Sequence, residues 1–362
     1  MQTSNPIYRI VLTGGPCGGK TTAMVFILER LASLGFKALI VPEMATQYIL
    51  SGILVEDIQP HKFQELILKG QRNQEIEFTA AATLYAKKQP VVIIYDRGML
   101  DGSAFCEQEE WMKATKLAEV NITQVRDTHY DLVIHMVTAA DGAEESYSLA
   151  NNKARRESPE EARIADYRIQ QAWIGHPKFR LIDNNTDFRE KVNRVVAEIC
   201  RTIGLPAPVE AKKKYLVDQQ STDKILSNIH YCKIEIEQTY LLSPTCEERR
   251  LRKRTQNEHS VYFHTIKKDI GYGERIEEDS IITEEAYIAL LSQKDPARKK
   301  IKKNRYCLLY QHQYVEIDRY LSPKLNFDIV EIETTGTNLP EGLIILKEAE
   351  MQQYSNDALS KL

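Results

Sequence analysis

What this chain of 362 residues lacks narrows its class before any motif is read. Its 6 cysteines stand apart at Cys17, Cys106, Cys200, Cys232, Cys246 and Cys307, with no C-x-x-C pair among them. Scattered thiols exclude a zinc ribbon or a redox dithiol and fit a reducing compartment better than secretion. No apolar run approaches the about 20 residues that span a bilayer, so membrane contact is expected to be peripheral at most. The opening MQTSNPIYRI carries neither a signal-peptide nor a lipidation pattern, and the expected location is the cytoplasm. An excess of one charge is also missing: 48 Lys+Arg against 51 Asp+Glu leave −3, with 43% hydrophobic residues, as in ordinary globular proteins. The basic run RKKIKKNR, Arg298 to Arg305, could steer polyanions or sit on acidic headgroups. No aromatic-interleaved motif accompanies it, so nucleic acid is not an expected partner.

What is present begins with VLTGGPCGGKTT, Val11 to Thr22. Gly14-x-x-x-x-Gly19-Lys20-Thr21 is a complete Walker A pattern, preceded by the apolar run Tyr8 to Thr13 and followed by a helical segment, Thr21 to Leu34, closed by Gly35. The chemistry follows from that context. Residues Gly14, Gly15, Pro16, Cys17, Gly18 and Gly19 turn backbone N–H groups toward phosphate oxygens at the positive end of a helix. Lys20 pairs with the outer phosphates, the Thr21 hydroxyl reaches a magnesium ion, and Thr22 closes the motif. The expected ligand is a nucleoside triphosphate with Mg2+, GTP or ATP.

Two rhythms divide the chain. Up to about Leu205, the apolar runs Ala38–Pro42, Val91–Tyr95, Leu132–Val137 and Phe179–Ile182 alternate with helical patterns, the longest over Lys62 to Lys87. This predicts an α/β domain, 1–205, with a parallel sheet covered on both faces. Prolines at 206 and 208 mark the boundary. Beyond it, charges recur at every second residue: Arg250, Arg252 and Arg254; Arg275 and Glu277; Lys303 and Arg305; Glu316 and Asp318; Glu331 and Glu333. Alternate residues share one face of a strand, so one sheet face carries mixed charge. The expected second domain, 206–350, is an antiparallel β-barrel with that face turned inward, followed by a tail, 351–362. A sheet with an ordinary wet face is the alternative.

EAKKKYLV (Glu210 to Val217) resembles the first strand of CYTH domains, the triphosphate-tunnel family, whose signature is E-x-E-x-K before an apolar triplet. IEQTYL, RLRKR and HTIK ending at Lys267 resemble its next strands, in order. In the first half, VPEMATQYI, YDRG, RRESPEEARIADYR and HPKFRLIDNNTDFREK resemble P-loop domains of the nicotinamide riboside kinase group. The pairing is similar to the TRPL translocation defect protein family. That resemblance implies a guanine- or adenine-nucleotide-binding protein whose second domain engages phosphorylated ligands such as phosphoinositides.

Individual residues take roles accordingly. Asp96, at the end of the third apolar run, can support magnesium through water. Arg97 contacts an acceptor or braces the site. Glu43 sits where related kinases keep a base, although a surface glutamate fits the position as well. Arg155, Arg156 and Arg163 lie in a charged segment suited to close over phosphates as a lid, or to a solvated helix. Asp183, Asn184 and Asn185 follow the fifth run, near the purine edge, and Asp183 suits the guanine N1 and N2 donors. The resemblance assigns the tunnel to Glu210, Lys212, Lys214, Arg250, Arg252, Lys267, Arg275, Glu277, Lys303, Arg305, Glu316, Asp318, Glu331 and Glu333. Lys212 replaces the second acid of the signature, which weakens metal binding and favours anions. Glu235 and Glu237 could substitute for it unless they face outward. The expectation is therefore a regulatory nucleotide-binding protein with a binding tunnel. The alternative is a bifunctional enzyme, a nucleoside-type kinase joined to a metal-dependent tripolyphosphatase.

Overall fold

The computed structural model describes residues 5–146, 158–205, 207–208, 212–243, 247–256, 259–271, 274–311, 313–333, 339–349 and 353–362. Arg155, Arg156 and Glu210 lie outside these residues. The chain forms two compact units, Met1–Ile199 and Cys200–Leu362.

The first unit is built on five strands: β1 (Ile7–Thr13), β2 (Lys37–Val41), β3 (Val91–Asp96), β4 (Leu132–Met136) and β5 (Phe179–Ile182). All pair in parallel, in the order β2-β3-β1-β4-β5. The continuous apolar runs have the expected cause: Ile10, Val11, Ile93, Ile94, Leu132 and Ile134 are all fully buried, as strands covered on both faces require. The helices are α1 (Lys20–Ser33), α2 (Met44–Leu50), α3 (Pro60–Tyr85), α4 (Gln108–Leu117), the short turn α5 (Ile122–Gln124), α6 (Pro159–Trp173) and α7 (Phe188–Thr202). Pro159 at the first turn and a capping box between Ser158 and Glu161 start α6 where its sequence says it should start. Because β3 and β4 flank β1 on opposite sides, the loop after β1 opens at the switch point of the sheet, where ligands of such folds sit.

The second unit is a ten-stranded antiparallel sheet. Its strands are β6 (Ala207–Pro208), β7 (Lys212–Val217), β8 (Tyr231–Tyr240), β9 (Glu248–Gln256), β10 (His259–Gly271), β11 (Glu274–Ile282), β12 (Ile301–Tyr310), β13 (Gln313–Ser322), β14 (Asp328–Glu333) and β15 (Ile345–Ala349). They run in the order β15-β7-β14-β13-β12-β8-β9-β10-β11-β6. Helices α8 (Gln219–Leu226), α9 (Glu284–Leu290) and α10 (Asn356–Ser360) accompany it. One face packs Tyr215, Val217, Tyr306, Leu308, Val315, Ile317, Val330 and Ile332 together, with Leu226 of α8 against them. The other face carries the alternating charges. Among the described residues, no helix is long and apolar enough to cross a membrane.

Candidate functional site

The turn after β1 has the backbone a phosphate loop needs. Gly14 has φ +144°, Cys17 φ +58° and Gly19, the N-cap of α1, φ +85°. A Cβ on Gly14 would lie 2.1 Å from the Met136 carbonyl oxygen, and one on Gly19 would lie 2.5 Å from the Phe188 ring, so only glycine fits either position. Lys20 is buried at the start of α1, its Nζ donating to the carbonyls of Gly14 (2.9 Å) and Gly15 (3.3 Å). Pro16 accepts the Thr138 hydroxyl at its carbonyl, and Cys17 accepts from the Ala139 N–H at 3.3 Å. Thr21 and Thr22, which follow Lys20 in the first turn of α1, are exposed.

Four acidic and basic groups stand around Lys20. Asp96 is the last residue of β3, and its Oδ1 is buried with no hydrogen-bond partner among the described residues. Burial raises the Asp96 carboxyl above its ordinary range, opposed by Lys20 and reinforced by Glu43. Glu43, the N-cap of α2, accepts from Arg97 Nε (2.7 Å) and the Thr46 hydroxyl (2.8 Å). Burial pushes its carboxyl up, but Arg97 and Lys20 outweigh that and hold it below the usual range. Arg97 has φ +74°, an uncommon conformation for a residue with a side chain, and its Nη1 lies 3.5 Å from Asp101. Asp101, buried in the 3₁₀ segment Met99–Phe105, also accepts from the Thr13 hydroxyl and from Trp173 Nε1 (2.6 Å). The loop thus faces an ion-paired cluster from β3, α2 and the segment after β3.

Asp96 and Thr21 fit a magnesium ion by the chemistry of their donors. A buried carboxylate oxygen without a proton donor and an exposed hydroxyl in the phosphate loop are the oxygen ligands such an ion takes directly or through water.

Other expected residues take different places. Arg163 on α6 donates to the Ala140 carbonyl (2.7 Å) and pairs with Glu160. Asp183 accepts from Arg194 (2.9 Å) and from the backbone N–H and side chain of Asn185. Asn184 donates to the carbonyls of Thr138 (2.8 Å) and Asp141 (2.6 Å). Its carboxamide therefore joins the loops after β4 and β5. Two central residues went unassigned from the sequence. Asp166 of α6, buried, accepts from the Gly15 N–H (2.6 Å), His135 Nε2 (3.0 Å), the Thr138 N–H (3.1 Å) and Gln170 (2.7 Å). Lys191 of α7, also buried, reaches Gly18, Val137 and Asn184. Both lie inside the stretches that carry the kinase-like resemblance, RRESPEEARIADYR and HPKFRLIDNNTDFREK, but neither was given a role there.

In the second unit, the strand registers gather the charged residues. Lys214 lies opposite Glu331, Glu331 opposite Glu316, Asp318 opposite Arg305, and Lys267 opposite Glu277. Gln238 opposes Arg252 and Thr265 opposes Arg250. Successive opposed residues share a side, so Lys214, Arg250, Arg252, Lys267, Glu277, Lys303, Arg305, Glu316, Asp318 and Glu331 occupy one face. Lys212, Arg275 and Glu333 hold ladder positions opposite Glu333, Asp269 and Lys212. Glu235 and Glu237 oppose Asn304 and Lys302, on the other face.

That face is unevenly neutralised. Lys214 pairs with Glu331 at 2.9 Å and Lys267 with Glu277 at 2.8 Å. Lys303 meets Asp318 at 2.5 Å, while Arg305 grips Asp318 through two nitrogens at 2.7 Å and Glu316 at 2.6 Å. Burial still pulls Lys303 down to about 8, with Asp318 opposing the shift. Arg250 reaches Gln238 and Glu277 only at 3.5 Å. The Arg252 side chain has no hydrogen bond or ion pair with any described residue; burial first, then Arg250 and Arg254, lower its guanidinium to about 10, against Asp279 and Glu277. The basic run is largely consumed: Lys300 and Lys302 both pair with Glu237, and Arg298 pairs with Asp357.

Solved structures similar to this chain include the PH1819 protein of Pyrococcus horikoshii OT3 (TM-score 0.29, 20% identity, 36% of this chain and 80% of that one). A conserved hypothetical protein of Pyrococcus furiosus is similar too (TM-score 0.27, 21%, 36% and 82%), as is the PH1012 protein of Pyrococcus horikoshii OT3 (TM-score 0.27, 20%, 37% and 83%). Likenesses that distant carry no argument. No curated protein matches. A family profile described as an AAA domain matches residues 9–191, from β1 through the phosphate loop to Lys191, and by that match the chain belongs to the AAA domain family.

Proposed function

We propose that the protein is a nucleotide-binding regulator with two phosphate sites: GTP or ATP with Mg2+ at the loop after β1, and a phosphorylated small molecule, a polyphosphate or phosphoinositide headgroup, on the charged face of the second unit. The observation that carries the first site is the AAA-domain phosphate loop, with Lys20 buried at its centre and an unpartnered Asp96 oxygen beside it. Asp96 and Thr21 would hold the metal; Lys20 would leave the Gly14 and Gly15 carbonyls for the outer phosphates. Glu43 is held ionised by Arg97, which makes it a weak proton acceptor and favours a bracing role over that of a kinase base.

The second site rests on Arg252, a guanidinium with no ion pair to a described residue, crowded by Arg250 and Arg254 and only partly offset by Asp279 and Glu277. Carboxylates Glu277, Glu316, Asp318 and Glu331 already face fixed cations, so the ligand's charge is met by arginine rather than through a metal. Binding without hydrolysis follows from that pairing. Peripheral contact with a membrane would come only through such a headgroup.

Titration of wild type and Lys20→Ala with MgGTP and MgATP tests the first site. The variant is expected to bind at least roughly tenfold more weakly, the worth of a charge-assisted contact. Equal affinity in the two proteins refutes the assignment. Rapid magnesium-dependent phosphate release from tripolyphosphate would instead favour the bifunctional enzyme.

A further inference from the structure

We propose that Lys191 is a positioning residue for nucleotide binding, a buried cation that ties the phosphate loop to the loops after β4 and β5 and adds its charge to the phosphate site. The inference rests on the reading that the loop after β1 holds a nucleotide. Lys191 is 3% exposed. Its Nζ donates to the Gly18 carbonyl (3.3 Å), the Val137 carbonyl (2.8 Å) and Asn184 Oδ1 (2.6 Å). Three donors meet three acceptors, one on each loop, and none of the three is a carboxylate. Asn184 extends the tie to Thr138 and Asp141.

Fold stability alone gives a poor account of this arrangement. A cation in the first turn of α7 opposes the helix dipole, and burying an ammonium whose hydrogen-bond acceptors are all neutral is costly. A neutral amide would bridge carbonyls without either cost. An ammonium adds positive potential beneath Gly18 and Gly19, where phosphates dock. The same turn of α7 presses Phe188 against Gly19, so the helix meets the phosphate loop at two successive residues.

Burial lowers Lys191 to about 8. Asp166 on α6 and Asp183 after β5 oppose that shift, while Arg194 on α7 and Lys20 on α1 add to it. Bound phosphates stabilise the ammonium, so binding takes up a proton wherever the free protein has begun to lose it. The sign follows: affinity is highest below the free value and falls as pH rises through it, by up to tenfold per pH unit until the bound-state value is reached.

Calorimetric titration of the full chain with MgGDP and MgADP, from about pH 7 to about pH 9.5, tests this on wild type, Lys191→Arg and Lys191→Met. Wild type should weaken roughly tenfold across the range. Lys191→Arg, which keeps its charge, should bind like wild type at the low end and show no such decline. Lys191→Met should already be weak at neutral pH, with a flat profile. A flat wild-type profile, a decline that persists in Lys191→Arg, or wild-type affinity in Lys191→Met overturns the proposal. Should Lys191→Met not fold, wild type and Lys191→Arg decide alone. Wild type that binds neither nucleotide at neutral pH brings down the nucleotide reading along with this one, whereas the other failures strike Lys191 only.

Discussion

Asp166 shows how one side chain can hold a phosphate loop without touching phosphate. It takes the N–H of Gly15 and of Thr138 and the imidazole of His135, all in a site with no access to water. Burial raises its carboxyl, but His135 and these donors outweigh burial and bring it below the ordinary value. A depressed carboxylate contributes stability above its unfolded value, near pH 4, and loses it as pH falls through the folded one. Asp166→Ala should therefore cost about 3 kcal/mol at neutral pH, and the gap to wild type should close below about pH 4. Both tryptophans of the chain, Trp111 and Trp173, are buried in the first unit, so urea unfolding followed by their fluorescence reads this unit alone. A gap under about 1 kcal/mol at neutral pH would show that the clamp is dispensable. The phosphate loop itself was legible because glycine, lysine and threonine are demanded by local backbone geometry. Asp166 was not, because it acts across 151 positions of sequence and looks like any acid in a charged helix.

At the scale of the element, β9 carries Arg250, Arg252 and Arg254 on one side, and like charges at alternate positions repel. The period of two was visible in the sequence, and so was the existence of a charged face. Which charges neutralise which was not, because pairing depends on register: Arg305 meets Asp318 across β12 and β13, while Arg252 meets Gln238 and Phe263. The same register sends Glu235 and Glu237 to the other face, beyond what counting residues along β8 could decide. An arginine kept half-buried with no described partner destabilises its own fold. Arg252→Leu should stabilise the protein without ligand by about 1 kcal/mol, as substitutions at functional positions often do. The same change should abolish tripolyphosphate binding. Scanning calorimetry, taking the transition that tryptophan fluorescence does not follow, measures the first effect, and titration measures the second. A variant less stable than wild type would mean that Arg252 has a structural partner.

Across the whole molecule, the proposed function gives phosphate two different chemistries in two units with separate cores. The first has oxygen donors left over for a divalent cation, Asp96 and Thr21; the second has Glu277, Glu316, Asp318 and Glu331 committed to lysine and arginine. Chelation should therefore divide them. A ligand at a hundred times its dissociation constant stabilises the state it binds by about 2.7 kcal/mol, a shift of a few degrees in melting temperature. With magnesium present, GTP or ATP should raise the transition followed by tryptophan fluorescence, and EDTA should remove most of that rise. Tripolyphosphate should raise the other transition equally with and without EDTA. Repeating the second arm in Lys20→Ala keeps tripolyphosphate at the phosphate loop from contributing. If EDTA cancels the tripolyphosphate shift in that variant, the charged face holds its ligand through a metal, and the arginines of β9 do not suffice as its anion site.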